Sequence, residues 1–169
     1  MKPLRSLLIC LSLILTSTAA GAQGTNVAFG ATQADPSQPV EVTSDSLDVN
    51  QADGSAEFTG NVLIIQGEMR LSAQRVLVNY TETNDGIESM QATGDVLLVS
   101  GPDAAEAQRA DYTIASGVIV MTGNVLLTQG ANVLTSDKMT VRLSDGTAQM
   151  SGRVKTVINP NALKPGDDN

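Results

Sequence analysis

The sequence predicts an all-β chain made of four copies of a turn-punctuated unit, together about sixteen short strands of five or six residues each. Three observations carry this reading. One tetrapeptide recurs at a nearly constant spacing, glycines recur around it at fixed offsets, and the segments between them alternate apolar and polar residues. No window sustains a 3.6-residue apolar period with a cap at either end, so no helix is expected.

The repeat is explicit. Thr59-Gly60-Asn61-Val62 returns as Thr93-Gly94-Asp95-Val96, Thr122-Gly123-Asn124-Val125 and Ser151-Gly152-Arg153-Val154, at spacings of 34, 29 and 29 residues. A second glycine follows seven positions later at Gly67, Gly101 and Gly130, with Asn159 in the fourth copy. A further turn signal precedes the motif by six positions at Gly54, Gly117 and Gly146. Small residues form another series, Ser44, Ala73, Ala107 and Ser136. The single long spacing has a local cause, a polar insertion of five residues within Thr81–Gly86.

Within each unit the strands are β-branched and alternating, as in Ser46-Leu47-Asp48-Val49-Asn50, Val76-Leu77-Val78-Asn79-Tyr80 and Met139-Thr140-Val141-Arg142-Leu143. Asp53-Gly54, Asp85-Gly86 and Asp145-Gly146 are turn dipeptides, because glycine takes positive φ without steric penalty.

The ends differ from the body. Lys2 and Arg5, the apolar run from Leu7 to Leu15 and the small residues ending Ala20-Gly21-Ala22 have the form of a cleavable secretory leader over residues 1–22. The run is shorter than the roughly 20 residues a bilayer span needs, although an uncleaved anchor is the alternative reading. Cys10, the one cysteine, falls inside the leader. Residues 23–39, small, polar and Pro-containing, read as a flexible lead-in, 40–158 as the folded domain, and 159–169 as a disordered acidic tail.

Composition excludes several classes of chemistry. The chain has 169 residues and no His, so Ser-His-Asp and Cys-His catalysis are ruled out, as are His-containing zinc sites. Without the leader, 8 basic face 18 acidic residues, which argues against a nucleic-acid partner. The acidic residues are scattered and no pair stands out as a glycosidase couple. No catalytic residue, metal or cofactor is assigned.

Alternation places one apolar row of every repeat on a common face. Its members are Leu47, Val49, Phe58, Val62 and Ile64; Val76 and Val78; Val96, Leu98, Tyr112 and Ile114; Met121, Val125 and Leu127; Met139, Val141, Met150 and Val154. A filled core is the default explanation of such a row. Two features leave a lipid groove open beside it. Aromatic bulk is scarce, and the neighbours of the row are apolar as well, as in Val62-Leu63-Ile64-Ile65 and Val96-Leu97-Leu98-Val99. Arg75, Arg109 and Lys138 share one repeat position. They form either a basic ladder able to meet phosphates or ordinary cross-strand partners for carboxylates such as Asp111 and Asp137, the reading favoured in so acidic a chain.

The exported leader, the repeated (S/T)-G-(N/D)-V motif and the segments Ala73-Gln74-Arg75-Val76 and Ser136-Asp137-Lys138-Met139 together resemble the OstA-like family over about Val40 to Ile158. The resemblance implies a repetitive antiparallel β-jellyroll folded like a taco, a periplasmic location, and an apolar interior that shelters the lipid A acyl chains of lipopolysaccharide. It further implies head-to-tail self-association, and contacts with an inner-membrane LptC-like protein and an outer-membrane LptD-like barrel. No catalytic residues come with the family. Two other readings stay open at this point: a membrane-anchored relative of the same fold, and a structural or adhesive β-solenoid with a full interior.

Overall fold

The structure is a computed structural model that describes residues 25–30, 37–83 and 85–158. The expected leader and tail lie outside the described residues. Among the described residues eleven strands follow one another: β1 (Thr25–Ala28), β2 (Glu41–Thr43), β3 (Ser46–Asn50), β4 (Ser55–Gln66), β5 (Met69–Tyr80), β6 (Ile87–Ser100), β7 (Asp103–Thr113), β8 (Val118–Gln129), β9 (Asn132–Arg142), β10 (Thr147–Ser151) and β11 (Lys155–Val157). No helix occurs among the described residues. All strands join one antiparallel sheet in the order β1-β10-β9-β8-β7-β6-β5-β4-β2, with β3 on β4 and β11 on β9.

The expected count of sixteen is corrected by the role of the motif. Gly60-Asn61 (φ 77° and 46°), Gly94-Asp95, Gly123-Asn124 and Gly152-Arg153 all take positive φ at both positions. In β4, β6 and β8 the pair sits inside one long strand, where the ladder skips from Thr59 to Val62, Thr93 to Val96 and Thr122 to Val125. Two unpaired residues in the left-handed region bend a strand without ending it. Each motif is therefore a corner, and β4 to β9 run 11 to 14 residues through it. The other two glycine series do end strands, with Gly54, Gly117 and Gly146 at one set of hairpins and Gly67, Gly101 and Gly130 at the other.

Aligned corners divide the sheet into two arms. The first holds 55–59, 75–80, 87–93, 109–113, 118–122 and 138–142 with β3, β10 and β1. The second holds 62–66, 69–73, 96–100, 103–107, 125–129 and 132–136 with β2 and β11. A side chain across the corner occupies the space a Cβ would need. Asp45, Gln74, Gln108 and Asp137 stand within 3.0 Å of the Cβ position at Gly60, Gly94, Gly123 and Gly152 respectively. Three of them also bond across the corner: Asn61 Nδ2 donates to Asp45 Oδ2 at 2.8 Å, Gln74 Nε2 to Asp95 Oδ2 at 2.5 Å, and Arg153 Nη2 to Asp137 Oδ1 at 2.6 Å. The small series lies on the inside of the same bend. Ala73, Ala107 and Ser136 are buried opposite Val62, Val96 and Val125, where a longer side chain would hold the arms apart.

One stretch departs from expectation at the N-terminus. Thr25–Ala28, read as lead-in, forms β1 and pairs in register with Met150 to Thr147 of β10. The physical reason is Phe29, which buries to 3% exposure in the interior and fixes the preceding residues on that edge. Where the insertion begins and ends, on the first arm's rim, Thr81 N–H donates to Gly86 O at 2.9 Å. Thr81 and Thr83 hydroxyls donate to Asp85 and hold its carboxyl below the usual carboxylate range.

Candidate functional site

The two arms fold toward one another and enclose the apolar row. Contact between them is seen directly. Tyr112 on the first arm donates its phenol hydrogen to Gln66 Oε1 on the second at 3.0 Å, in the buried interior. A small space between the arms is bounded by Ile64, Met69 and Leu71 from the second arm and by Met90, Ala110 and Tyr112 from the first. Second-arm β4 and β5 thus face first-arm β6, β7 and β8, an offset along the strand order that a twisted sheet produces when it closes on itself. The space amounts to about 10 Å³, no more than one water molecule would take up. The interior is close-packed in this state.

Most of the expected row lies inside. Val62, Ile64, Val76, Val78, Val96, Leu98, Tyr112, Met121, Val125, Leu127, Met139, Val141 and Met150 are buried, and Phe58 and Ile114 are half-buried against them. Three positions differ. Leu47 (53% exposed), Val49 (61%) and Val154 (37%) face solvent. The offset explains the first two, because β3 lies beyond the last strand that the opposite arm covers. Val154 follows the Gly152-Arg153 corner at the other end of the sheet, where only β9 flanks β11. Val157 and Ile158 beside it are exposed too.

Residues outside the expected row complete the interior: Phe29, Met69, Leu71, Met90, Ile119, Leu134 and Leu143 are also buried. Ile119 continues the alternation one step from Met121 and Met90 keeps the phase of Val96 six positions away, whereas Met69 and Leu71 fall out of phase with Val76 because β5 shifts register between Ser72 and Arg75. Phe29 carried no such signal, since no neighbouring alternation frames it.

Polar groups gather where the second arm ends. Gln66, Ser100 and Asp103 are buried at its hairpins. Gln66 accepts from Tyr112 and donates through Nε2 to the Gln38 carbonyl at 3.0 Å, so it ties the two arms to the segment leading into β2. Burial holds the Tyr112 phenol above its ordinary value. Replacing Tyr112 by Phe is expected to lower stability by about 1 kcal/mol, the net worth of one buried hydrogen bond. The pH dependence identifies the source. A raised phenol stabilises fully below its unfolded value near 10 and that stability disappears as pH climbs through the folded value. Urea unfolding at rising alkaline pH should therefore fall more steeply for the native chain than for Tyr112→Phe.

The outer face carries the basic row. Arg75, Arg109 and Lys138 alternate across strands with Thr59, Thr93 and Thr122, so they do stand in one line. Two are neutralised in place. Arg75 Nε donates to Glu57 Oε1 at 2.5 Å and Arg109 Nη2 to Asp111 Oδ1 at 2.7 Å. Asp137 pairs with Arg153 in place of Lys138. The Arg75 and Arg153 guanidinium groups hold the Glu57 and Asp137 carboxyls below the usual range. These pairs are exposed and add little to stability. Among the described residues no cluster of His, Cys, Asp and Glu could hold a metal, and no helix is long and apolar enough to cross a membrane.

Comparison with known proteins gives four findings. A family model described as LptA/(LptD N-terminal domain) LPS transport protein matches residues 41–147. The lipopolysaccharide export system protein LptA of Escherichia coli K12 is 26% identical over 120 residues, 68% of this chain and 63% of that one. An uncharacterised protein of Rhizobium meliloti is 33% identical over 78 residues, 46% of this chain and 42% of that one. The chain thus spans less than two thirds of either relative's length. In fold it is similar to the crystal structure of Pseudomonas aeruginosa LptH, described as the LptA-homologous periplasmic component of a lipopolysaccharide transport device. That match has a TM-score of 0.67 at 19% identity and covers 75% of this chain and 99% of that one.

Proposed function

The chain belongs to the LptA/(LptD N-terminal domain) family of LPS transport proteins, and on that premise we propose that it carries lipopolysaccharide across the periplasm by sheltering lipid A acyl chains between its arms. The observation that carries this is the single continuous sheet. Its strands continue through the corners, where the ladder skips the motif pair and resumes with the same neighbour, so the arms can part at the mouth while every strand keeps its partners. An acyl chain exposes about 0.8 kcal/mol per CH₂ to water, and an apolar lining offered along its length offsets that. The rows from Val62 to Met150 are the proposed lining. No step of this role needs catalysis, a metal or a cofactor.

Both ends of the sheet favour end-to-end growth. β2 and β3 present one edge with Leu47 and Val49 exposed, and β11 presents another with Val157 and Ile158 exposed. The offset of the arms leaves first-arm surface uncovered at one end and second-arm surface at the other, so one copy's excess fits the next copy's deficit. Edge strands of this kind add a further strand through main-chain hydrogen bonds. The proposed partners are further copies, an inner-membrane LptC-like protein and the periplasmic part of an outer-membrane LptD-like barrel. Together these would form a bridge between the membranes.

A structural β-solenoid with a permanently full interior is the competing reading, and the close packing favours it. A photo-crosslinking amino acid placed at Ile64 or Leu127, with exposed Glu82 as the outside control, separates the two. Irradiation with lipopolysaccharide is expected to yield adducts at Ile64 and Leu127 and none at Glu82. A folded protein without adducts at either inward position would leave the solenoid.

A further inference from the structure

Four half-strands make the two ends of the sheet: β3 and β2 at one, β10 and β11 at the other. Within the described residues, three have a free outer side, and the fourth does not. β10 is covered by β1, with Thr25 to Ala28 paired against Met150 to Thr147.

The segment is clasped at its end. Phe29 N–H donates to Gly146 O at 2.9 Å on the first arm's rim. Gly30 N–H donates to Asp103 Oδ2 at 2.8 Å, and the Ala28 carbonyl accepts from Gln129 Nε2 at 2.6 Å, both on the second arm's rim. Gln129 Nε2 also reaches Asp103 Oδ2 at 3.1 Å, so the two rim residues hold each other as well as the strand.

We infer that β1 is a removable cap on this end of the sheet, and that a second copy of this chain competes with residues 25–30 for the edge of β10. The direction of the strands fits. The stretch β10–β11 runs from first arm to second, and β2–β3 runs from second arm to first. Laid arm on arm, the β2–β3 edge of an incoming copy is antiparallel to β10–β11, and its β3 falls where β1 lies. The balance of contacts also fits. β1 offers four residues, three of them exposed, and one buried side chain in the next residue. An incoming edge offers β3 and β2 together, with Leu47 and Val49 to bury. A short cap of this kind blunts an edge that would otherwise pair without limit.

The inference rests on the reading that copies join end to end, and the test separates the two. Asn26 and Gln149 are register partners on neighbouring strands, and the sequence has only Cys10, inside the expected leader. The exported protein carrying Asn26→Cys and Gln149→Cys can be locked by oxidation and released by reduction. A second variant, Val27→Pro with Phe29→Ala, loosens β1 by removing one backbone donor and the buried ring. Association is followed by sedimentation over a concentration series, with circular dichroism confirming the fold of each form.

The oxidised lock is expected to stay monomeric where the reduced form and the native chain associate. The loosened variant is expected to associate at a concentration at least tenfold lower than native. Association of the oxidised lock at the native concentration would overturn the cap and leave end-to-end joining intact. Absence of association in every form, the loosened one included, would overturn end-to-end joining and the cap with it.

Discussion

Gly123→Ala is expected to destabilise the fold by about 2–4 kcal/mol, measured by urea unfolding. Gly123 holds φ at +85°, outside the comfortable range of an alanine, and that alone costs about 1–2 kcal/mol. The added methyl would also meet Gln108, whose Oε1 stands 2.6 Å and Cβ 2.9 Å from the Cβ position. The amide end can swing away, but the Gln108 Cβ is fixed by the backbone of β7. Gly130→Ala is the matched control. It too has positive φ, +56°, yet nothing lies within 4 Å of its Cβ position. It should lose only the conformational part, about 1 kcal/mol. Equal losses at the two sites would mean that the corner is not sterically defined.

Leu98→Ala carries the other large effect, an expected loss of about 2–5 kcal/mol from the removed methyl groups and the cavity they leave. Leu98 is wholly buried, in a close-packed interior that has little freedom to collapse around a gap. Its neighbour Leu97 is the same residue type one step along the same strand, but it lies half-buried on the outer face opposite Ser72 and Glu106. Leu97→Ala should lose less than about 1.5 kcal/mol, in proportion to the smaller area buried. Thermal or urea unfolding of the two variants side by side tests which face is interior. A larger loss at Leu97 would reverse the inward row.

Much of this was readable from residues alone. Alternation placed Val62, Ile64, Leu98, Leu127 and Met139 on the inward face, because side chains on a strand point alternately to opposite sides whatever the strand pairs with. The glycines after Asp53 and Asp145 marked hairpins, because the conformation a tight turn needs is a local property. The basic row was expected to pair with carboxylates across strands, and Arg109 instead meets Asp111 two residues along its own strand.

What was not readable depends on distance in three dimensions. The motif glycines resemble turn glycines in sequence, and only the ladder on both sides shows that Gly60, Gly94 and Gly123 bend strands without ending them. Leu47 and Val49 share the alternation of the inward row and still face solvent, because the offset between the arms decides which strands are covered. No local pattern encodes that offset. Tyr112 and Gln66 lie 46 residues apart, and Ala28 and Gln129 lie 101 apart, so neither bond has a spacing that a reader of the chain could recognise.

Residues 25–29 show the division most clearly. By composition they belong with the polar lead-in, and only the presence of a free β10 edge and a rim to receive Phe29 makes them a strand. The sequence by itself determined the all-β class, the repeat and the apolar face, since each follows from chirality, pleat and turn geometry acting over a few residues. Tertiary structure alone decided where the sheet folds, how its arms are offset and which edge is covered, since those follow from packing between segments that the chain brings together only when it closes.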